Sequence, residues 1–351
     1  MKIENTNRIV CNNSNRRKKN CIYYMNCVGN EMNIIMASDD EYARIMAASI
    51  NSICKCNIRA DLLKVYIIDA GISDINKKYI KNIKKRYNNL EICFIDFERY
   101  KDIVEKLVKK TNPPLPLITF ARLFIANMIP DDKVLYVDCD TICVGDLEEF
   151  WNINLNGKMI AGVQDTVNDE IKKQIGLKPD DPYINAGVIL IDLKKWRDND
   201  CVNKTIDYIN RNNGYVMHND QGVLNALFKD DIKIVNLKYN AMTPIFKISR
   251  NKIMKYFNLR NYYDENEIRQ AIKFPIFVHF VRFTTSRPWE ENCSHPMKKL
   301  FQDNYEEVFK TDLKLKPYRE SKGQRIVYEV LEFCPYFMYR LLIKISALKG
   351  K

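Results

Sequence analysis

The sequence predicts an α/β fold, and three observations lead to that class. Strand-like apolar runs alternate with helix-like segments from residue 33 onward, which is typical of parallel strands joined through helices. The runs at 134–137 and 183–193 have the apolar character of buried strands. The chain has 351 residues, of which 46% are hydrophobic and 28% charged, and this balance is typical of globular domains.

The first half of the chain supplies the first four strands. Strands are predicted at 33–37, 62–71, 91–97 and 134–137, with a helix over 38–53 whose first turn is acidic and another helix after the second strand. A proline-rich connection at 112–118 precedes a short helix at 119–129, which ends at Pro130.

The second half continues the alternation. Strands are predicted at 159–165, 183–193, 231–237 and 274–280, a helix from Lys194 and a helix over 218–228.

Charge and cysteine content limit the function classes. The net charge of +12 favours an anionic partner, such as a nucleoside diphosphate, a membrane surface or nucleic acid. Nucleic acid is disfavoured because the excess charge concentrates at the two termini. The 11 cysteines contain no paired CxxC motifs with zinc-ligand spacing, and they indicate a reducing compartment. The N-terminus lacks the apolar region of a secretory signal, and no run of about 18 apolar residues predicts a spanning helix.

Residues 134–147, VLYVDCDTICVGDL, carry two aspartates one residue apart after a buried strand. Residues i and i+2 of a strand share a face, so Asp138 and Asp140 are expected to converge. Two close carboxylates repel each other unless a cation lies between them, and hard divalent ions prefer such oxygens. Solvated acids at a strand end are the alternative, and they are the better explanation for an isolated DxD.

Six further segments accompany this motif in order along the chain. They are MNIIMASDDEYA, VYIIDAGIS, TFARL, YINAGVILIDLKKWR, NDQGVLNALF and VHF…RPW. Together the segments resemble glycosyltransferase family 8, and within it the bacterial lipopolysaccharide galactosyl- and glucosyltransferases, over residues 32–290.

The resemblance implies a single GT-A type domain, a Rossmann-like mixed sheet flanked by helices, that uses UDP-galactose or UDP-glucose. It implies Mn²⁺, or Mg²⁺ as the alternative, held by Asp138, Asp140 and His279. A histidine in a strand is more often a core residue, but the position of His279 before RPW matches the family's ligand. Bound metal would stabilise the leaving UDP as a Lewis acid.

The donor-binding residues implied by the resemblance are Ala37, Asp39, Tyr42, Arg122, Asp138, Asn185, Ala186, Gly187 and Arg287. Among them, Tyr42 is expected to stack on uracil and Arg122 to contact the diphosphate or the sugar. Asp39 is equally well explained as a helix cap.

The family transfers sugars with retention of configuration. Gln221 is expected below the anomeric carbon, with front-face substitution favoured because an amide is a poor nucleophile. Asp220 is the alternative nucleophile, and Asp165 is expected at the sugar.

Two departures from the family pattern affect the site. The loop at 281–287 is longer than in relatives, has no glycine and ends in arginine, so Arg287 is expected to hold the diphosphate with Arg282 as competitor. The segment before TFARL is proline-rich where relatives carry a histidine, so the acceptor is not transferable.

Three regions are predicted: a disordered polar extension at 1–31, the catalytic domain at 32–311, and a basic, aromatic tail at 312–351. A helix over 336–349 would place six apolar residues on one face and basic residues on another, which suits an anionic membrane interface. The alternative is a helix packed on the protein's own core. The apolar residues are Phe337, Met338, Leu341, Leu342, Ile345 and Leu348.

The acceptor predicted from the resemblance is a hydroxyl of a cell-surface glycan or glycolipid such as lipopolysaccharide. The alternative is a glycogenin-like or stress-protein-type glucosyltransferase with a protein or other acceptor. The expected location is cytoplasmic, peripheral at the inner face of the plasma membrane.

Overall fold

A computed structural model describes residues 30–108, 116–318 and 322–338, and residues 322–325 by their backbone alone. The strands are β1 (Glu31–Ser38), β2 (Leu62–Asp69), β3 (Leu90–Asp96), β4 (Lys133–Val137), β5 (Thr141–Cys143), β6 (Ile160–Gln164), β7 (Ile184–Asp192), β8 (Ile232–Ile234), β9 (Ala241–Met242) and β10 (Phe277–His279).

Helices fill most of the connections between strands. They are α1 (Ala43–Cys56), α2 (Asp74–Asn82), α3 (Glu98–Leu107), α4 (Ile125–Met128), α5 (Glu148–Trp151), α6 (Asp169–Gln174), α7 (Leu193–Asp198), α8 (Cys201–Arg211), α9 (Asn219–Phe228), α10 (Thr243–Lys247), α11 (Arg250–Tyr256), α12 (Glu265–Lys273), α13 (Lys298–Phe309) and α14 (Lys322–Phe333). Short 3₁₀ segments lie at Ile83–Lys85, Leu117–Phe124, Lys229–Asp231 and Leu237–Asn240.

The main sheet has seven strands in the order β3-β2-β1-β4-β7-β6-β8. Strands β3, β2, β1 and β4 run parallel, as their alternation with helices predicts. Strand β7 is antiparallel to both β4 and β6, so the sheet is mixed, and the parallel arrangement holds only for its first half and for the β6–β8 pair.

Neighbouring residues of the central strands enter different halves of the core. Ile34 and Leu135 belong to one apolar cluster, whereas Ile35 and Tyr136 belong to the other. Because side chains alternate along a strand, the central sheet is covered on both faces. The polar groups of the site are therefore confined to the strand ends.

A second, three-stranded sheet in the order β5-β10-β9 lies beside the main one. Strand β10 runs antiparallel to β5, with His279 opposite Thr141, and the Phe280 amide donates to the Asp140 carbonyl at 2.9 Å. This pairing brings the last strand of the domain to the residues that follow β4.

Four predicted elements differ from the structure. The segment expected as a helix at 119–129 is a 3₁₀ helix, Leu117–Phe124, followed by the single α-helical turn α4. Every residue from 120 to 126 is buried, so tertiary packing and not an amphipathic pattern surrounds this segment. Helix α1 begins at Ala43, so its acidic residues precede it. The strands expected at 231–237 and 274–280 contain three residues each, Ile232–Ile234 and Phe277–His279.

The C-terminal helix α14 is tied to the domain by buried Lys252. Its ammonium donates to the carbonyls of Leu331 at 2.6 Å and Glu332 at 3.0 Å. The tail helix predicted over 336–349 lies outside the described residues except for 336–338. Among the described helices, none has the length and apolarity needed to cross a bilayer.

Buried Asn225 of α9 stabilises the start of β7. Strand β4 pairs with β7 only from Val188 onward, so Ile184 lacks a β4 partner. The Asn225 side-chain amide takes the place of the missing strand partner. Its Oδ1 accepts from Ile184 N at 2.7 Å, and its Nδ2 donates to Ile184 O at 2.9 Å.

We expect Asn225→Ala to lower the free energy of unfolding by about 2–4 kcal/mol, because it leaves two buried backbone groups unpaired. Urea unfolding monitored by circular dichroism measures this change. Asn203→Ala, which removes an exposed amide, should stay within about 0.5 kcal/mol of wild type. A comparably small effect at Asn225 would contradict the assigned role.

Candidate active site

Asp138, Asp140 and His279 converge at the carboxyl end of β4. His279 Nε2 lies 3.1 Å from Asp140 Oδ1 and 4.0 Å from Asp138 Oδ2, and one ligand atom from each residue lies within 4.8 Å of the others. Strand β4 ends at Val137, so the two aspartates converge through the turn between β4 and β5. The two aspartates do converge, but the predicted reason, a shared face of one strand, is wrong.

The backbone of β7 closes one side of this cluster. A Cβ atom on Gly187 would lie 2.4 Å from His279 Cε1 and 2.6 Å from Asp138 Oδ2. Any larger residue would therefore displace two of the three candidate ligands. The prediction gave Gly187 a role in backbone approach to the sugar, and its contact with the ligands is a second reason for a glycine.

The cluster is electrostatically coupled. Burial disfavours the charged form of Asp140, but His279 and Arg287 outweigh burial and hold the pKa of this carboxyl below its usual range. Burial likewise disfavours the imidazolium of His279, but Asp140 raises the pKa of the ring above its ordinary value. Two carboxylates and an imidazole, two of them buried, are a donor set that a divalent cation fits.

Arg122 connects the aspartates of two motifs. Its Nη2 donates to Asp138 Oδ1 at 2.9 Å and its Nη1 to the Ala186 carbonyl at 2.6 Å. Its Nε lies 2.7 Å from Asp220 Oδ2, an ion-pair distance without hydrogen-bond alignment. The guanidinium also lies 4.2 Å from the centre of the Tyr136 ring, so this buried cation is neutralised on several sides.

Asp165, Asn185 and Gln221 form a hydrogen-bonded cluster beside β7. Gln221 Nε2 donates to Asp165 Oδ2 at 2.9 Å, and its Oε1 accepts from Ala186 N at 3.0 Å. Asn185 Nδ2 donates to the same Asp165 oxygen at 3.1 Å. The residues predicted for the sugar therefore lie together, each with a fixed orientation.

The residues predicted for the nucleotide lie where β1 gives way to α1. Asp39 Oδ1 accepts from the Tyr42 amide at 3.0 Å, which closes the turn before α1. The N-cap of α1 is Tyr42, so Asp39 is not the helix cap that was its alternative role. The Tyr42 hydroxyl accepts from Arg287 Nη1 at 2.6 Å. The open cleft here is lined by Ala37, Ser38, Asp39, Glu41, Tyr42, Pro116, Ile118, Thr119, Arg122, Tyr136, Asp138, Cys139 and Asp140.

Arg287 reaches the cluster from the loop after β10. Its Nη2 lies 3.1 Å from Asp140 Oδ2, and its Nε is buried without a hydrogen-bond partner among the described residues. Arg282, the predicted competitor, instead donates to Glu290 at 2.6 Å and lies over Tyr318. The structure thus places Arg287, and not Arg282, at the candidate metal ligands.

Two residues that sequence reasoning missed complete the site. Asn240 Oδ1 lies 2.9 Å from His279 Nδ1, and the Tyr136 hydroxyl donates to Asp138 Oδ1 at 3.0 Å. Tyr136 reads as one more apolar residue of β4, and Asn240 stands in no motif. Only three-dimensional contact identifies them.

The structure therefore shows a mixed α/β domain with a candidate divalent-cation site at the carboxyl end of β4. The family model described as glycosyl transferase family 8 matches residues 33–293, and the chain belongs to that family. It is a glycosyltransferase, as the resemblance predicted.

Several known proteins are similar in sequence to this chain, and a solved structure shows the same fold. A Haemophilus influenzae protein, provisionally named a glycosyltransferase, is 32% identical over 274 residues, which are 75% of this chain and 74% of that protein. General stress protein A of Bacillus subtilis is 26% identical over 280 residues, which are 78% and 91% of the two chains. The solved structure of the galactosyltransferase LgtC with donor and acceptor sugar analogs matches with a TM-score of 0.65 at 23% identity, covering 84% of this chain and 99% of that one.

Because Arg287 contacts a candidate metal ligand, removing its side chain should change the affinities for metal and for nucleotide in opposite directions. In Arg287→Ala, Asp140 loses a competing cation, so Mn²⁺ should bind about tenfold more tightly without nucleotide. UDP should bind about tenfold more weakly at saturating Mn²⁺, because a charged donor is lost. Isothermal titration calorimetry measures both affinities.

Arg282→Ala is the matched control, and both of its affinities should stay within about twofold of wild type. If Arg282→Ala weakened UDP binding more than Arg287→Ala, the assignment of the diphosphate contact would be reversed.

Proposed function

We propose that this chain is a metal-dependent, retaining hexosyltransferase that moves galactose or glucose from a UDP-sugar to a hydroxyl group. The observation that carries the proposal is the convergence of Asp138, Asp140 and His279 within 4.8 Å, beside the Gln221 cluster. The candidate cation site and the proposed sugar pocket, which we define as Asp165, Asn185 and Gln221, therefore both lie against β7.

Mn²⁺ is the ion we propose for the site, with Mg²⁺ as the alternative. Two carboxylates and one imidazole suit a metal that accepts both oxygen and nitrogen ligands. When bound, the ion would neutralise the charge that develops on the leaving diphosphate. The chain's own cations, Arg122 and Arg287, lie on either side of the aspartates and would bind diphosphate oxygens.

The environment of Asp220 argues against its alternative role as nucleophile. It is buried and its carboxylate is paired with the Arg122 guanidinium at 2.7 Å. Burial also raises its pKa to about 6, although Arg122 opposes this shift. A carboxylate in this setting is held in place, which suits a role in positioning Arg122.

Gln221 also has no free group with which to attack. Its oxygen accepts from the Ala186 amide, and its nitrogen donates to Asp165. This arrangement supports front-face substitution, in which the β-phosphate oxygen takes the proton of the acceptor hydroxyl. Gln221, Asp165 and Asn185 would then orient the hexose and stabilise its developing positive charge.

The acceptor we propose is a cell-surface glycan or glycolipid such as lipopolysaccharide. A likeness in fold to the galactosyltransferase LgtC supports a hexose donor. A glycogenin-like or stress-protein-type glucosyltransferase with a protein acceptor is the second candidate, since General stress protein A matches over 91% of its length. Mass spectrometry of the protein after incubation with UDP-glucose and Mn²⁺ tests the glycogenin-like form of this candidate, because self-glucosylation adds hexose to the chain itself.

Peripheral attachment to the inner face of the plasma membrane through the tail at 312–351 is part of the proposal. Phe333, Phe337 and Met338, at the end of the described chain, are 77%, 72% and 46% exposed. The predicted domain boundaries at 32 and 311 are both too narrow, because β1 begins at Glu31 and the Lys316 amide donates to the Trp289 carbonyl at 2.8 Å.

Asp140→Asn and His279→Ala should each reduce metal-dependent release of UDP by about a hundredfold or more, because the metal loses a ligand. A panel of UDP-sugars with Mn²⁺, with and without acceptor, measures donor choice and turnover. Asp146→Asn, an exposed aspartate of the same motif, should stay within about twofold of wild type. Turnover retained in both site variants, each with an intact thermal unfolding transition, would refute the site.

A chain ending at Met338 keeps α14 and tests the membrane proposal. It lacks Arg340, Lys344, Lys349 and Lys351, and each basic residue near an anionic surface contributes about 1 kcal/mol. Its co-sedimentation with phosphatidylglycerol vesicles should fall about tenfold or more. The proposal would be contradicted if the shortened and full-length chains sedimented equally with phosphatidylglycerol vesicles. It would also be contradicted if the full-length chain bound neutral phosphatidylcholine vesicles as well as anionic ones.

A further inference from the structure

His279 is held from behind by an amide that no motif contains. Asn240, the last residue of the 3₁₀ segment before β9, is fully buried, and its Oδ1 lies 2.9 Å from His279 Nδ1. Its Nδ2 donates to Asn185 Oδ1 at 2.8 Å. Asn240 thus touches a candidate metal ligand on one side and a residue of the sugar pocket on the other.

The direction of this hydrogen-bonded chain is fixed at Asn185. The Gly187 backbone amide can only donate, and it lies 3.0 Å from Asn185 Oδ1. The Asp165 carboxylate accepts from Asn185 Nδ2 at 3.1 Å. Both contacts require the Asn185 oxygen to face Gly187 and Asn240.

It follows that Asn240 must present its nitrogen to Asn185 and its oxygen to His279. An amide oxygen can only accept, so His279 must carry a hydrogen on Nδ1. The Nε2 atom, which faces Asp138 and Asp140, is then the nitrogen available to a cation. A metal-binding histidine is commonly oriented in this way by a carbonyl or carboxylate on its other nitrogen.

We propose that Asn240 is a positioning residue that fixes the ring orientation and tautomer of His279 for metal binding, and that Asn185 links this contact to the sugar pocket. The inference rests on the proposed metal role of His279. Asn240 is fully buried and does not line the open cleft, so its effect on transfer would act through His279 and Asn185.

Two substitutions separate this role from ordinary support of the core. Asn240→Leu has a similar volume and removes both hydrogen bonds, so Mn²⁺ should bind ten- to a hundredfold more weakly. Asn240→Asp keeps an acceptor for His279 Nδ1 and removes the donor to Asn185. Its Mn²⁺ affinity should equal or exceed that of wild type, whereas its KM for the UDP-sugar should rise.

Asn51→Leu is the matched control for loss of a buried amide. Asn51 lies in α1 and donates to Asn304 at 2.8 Å, away from the site. This variant should lose thermal stability while its Mn²⁺ dissociation constant stays within about twofold of wild type.

The experiment is a titration of the full chain with Mn²⁺ in the absence of nucleotide, in which the electron paramagnetic resonance signal of the free ion reports binding. Weakening in Asn240→Leu with retention in Asn240→Asp supports the proposal. Equal weakening in both variants, or wild-type affinity in Asn240→Leu, overturns it. If Asn240→Leu does not fold, Asn240→Asp can still be measured. A tenfold loss of Mn²⁺ affinity in Asn240→Asp overturns the proposal by itself. If the wild-type chain binds no Mn²⁺, the proposed function fails and this inference fails with it.

Discussion

Electrostatic repulsion between Asp138 and Asp140 is the constraint on which the site depends. Two carboxylates that face one another near a buried strand end are unfavourable unless positive groups surround them. Arg122 pairs with Asp138, whereas Arg287 and His279 contact Asp140. Arg122 lies only 16 positions before Asp138, whereas His279 lies 139 positions after Asp140 and Arg287 follows it in the next loop. The fold must therefore bring this late segment to the acid pair.

The small β5-β10-β9 sheet meets this requirement for His279. Because β5 directly follows the second aspartate, antiparallel pairing of β10 with β5 sets His279 beside Asp140 by backbone register. Gly187 then leaves the space that the imidazole and Asp138 occupy. The geometry of the acid pair is thus determined by backbone contacts as much as by the motif itself.

The sequence predicts the residues that form the site better than the contacts that hold them. Asp138 and Asp140 stand in a motif that sequence reasoning detects directly, whereas His279 and Arg287 were predicted only from the resemblance to the family. The structure brings all four to one place. Local signals carry no information on the antiparallel insertion of β7, which depends on pairing between β4 and residues about 55 positions further along the chain. Asn240 was missed for the same reason, since a single buried amide has no pattern in sequence.

The two halves of the site differ in how they are prepared for a ligand. Gln221, Asn185 and Asp165 satisfy one another through directed hydrogen bonds, so the pocket proposed for the sugar is already organised without a donor. On the nucleotide side, Arg287 forms an ion pair with Asp140 and donates a hydrogen bond to Tyr42. Asp140 is proposed to bind the metal and Tyr42 to bind the uracil of the donor. Entry of a metal and a diphosphate would therefore require Arg287 to exchange a carboxylate for phosphate oxygens. Such an exchange makes cation and nucleotide binding interdependent, because the anion that follows the metal also supplies the new partner for the displaced guanidinium.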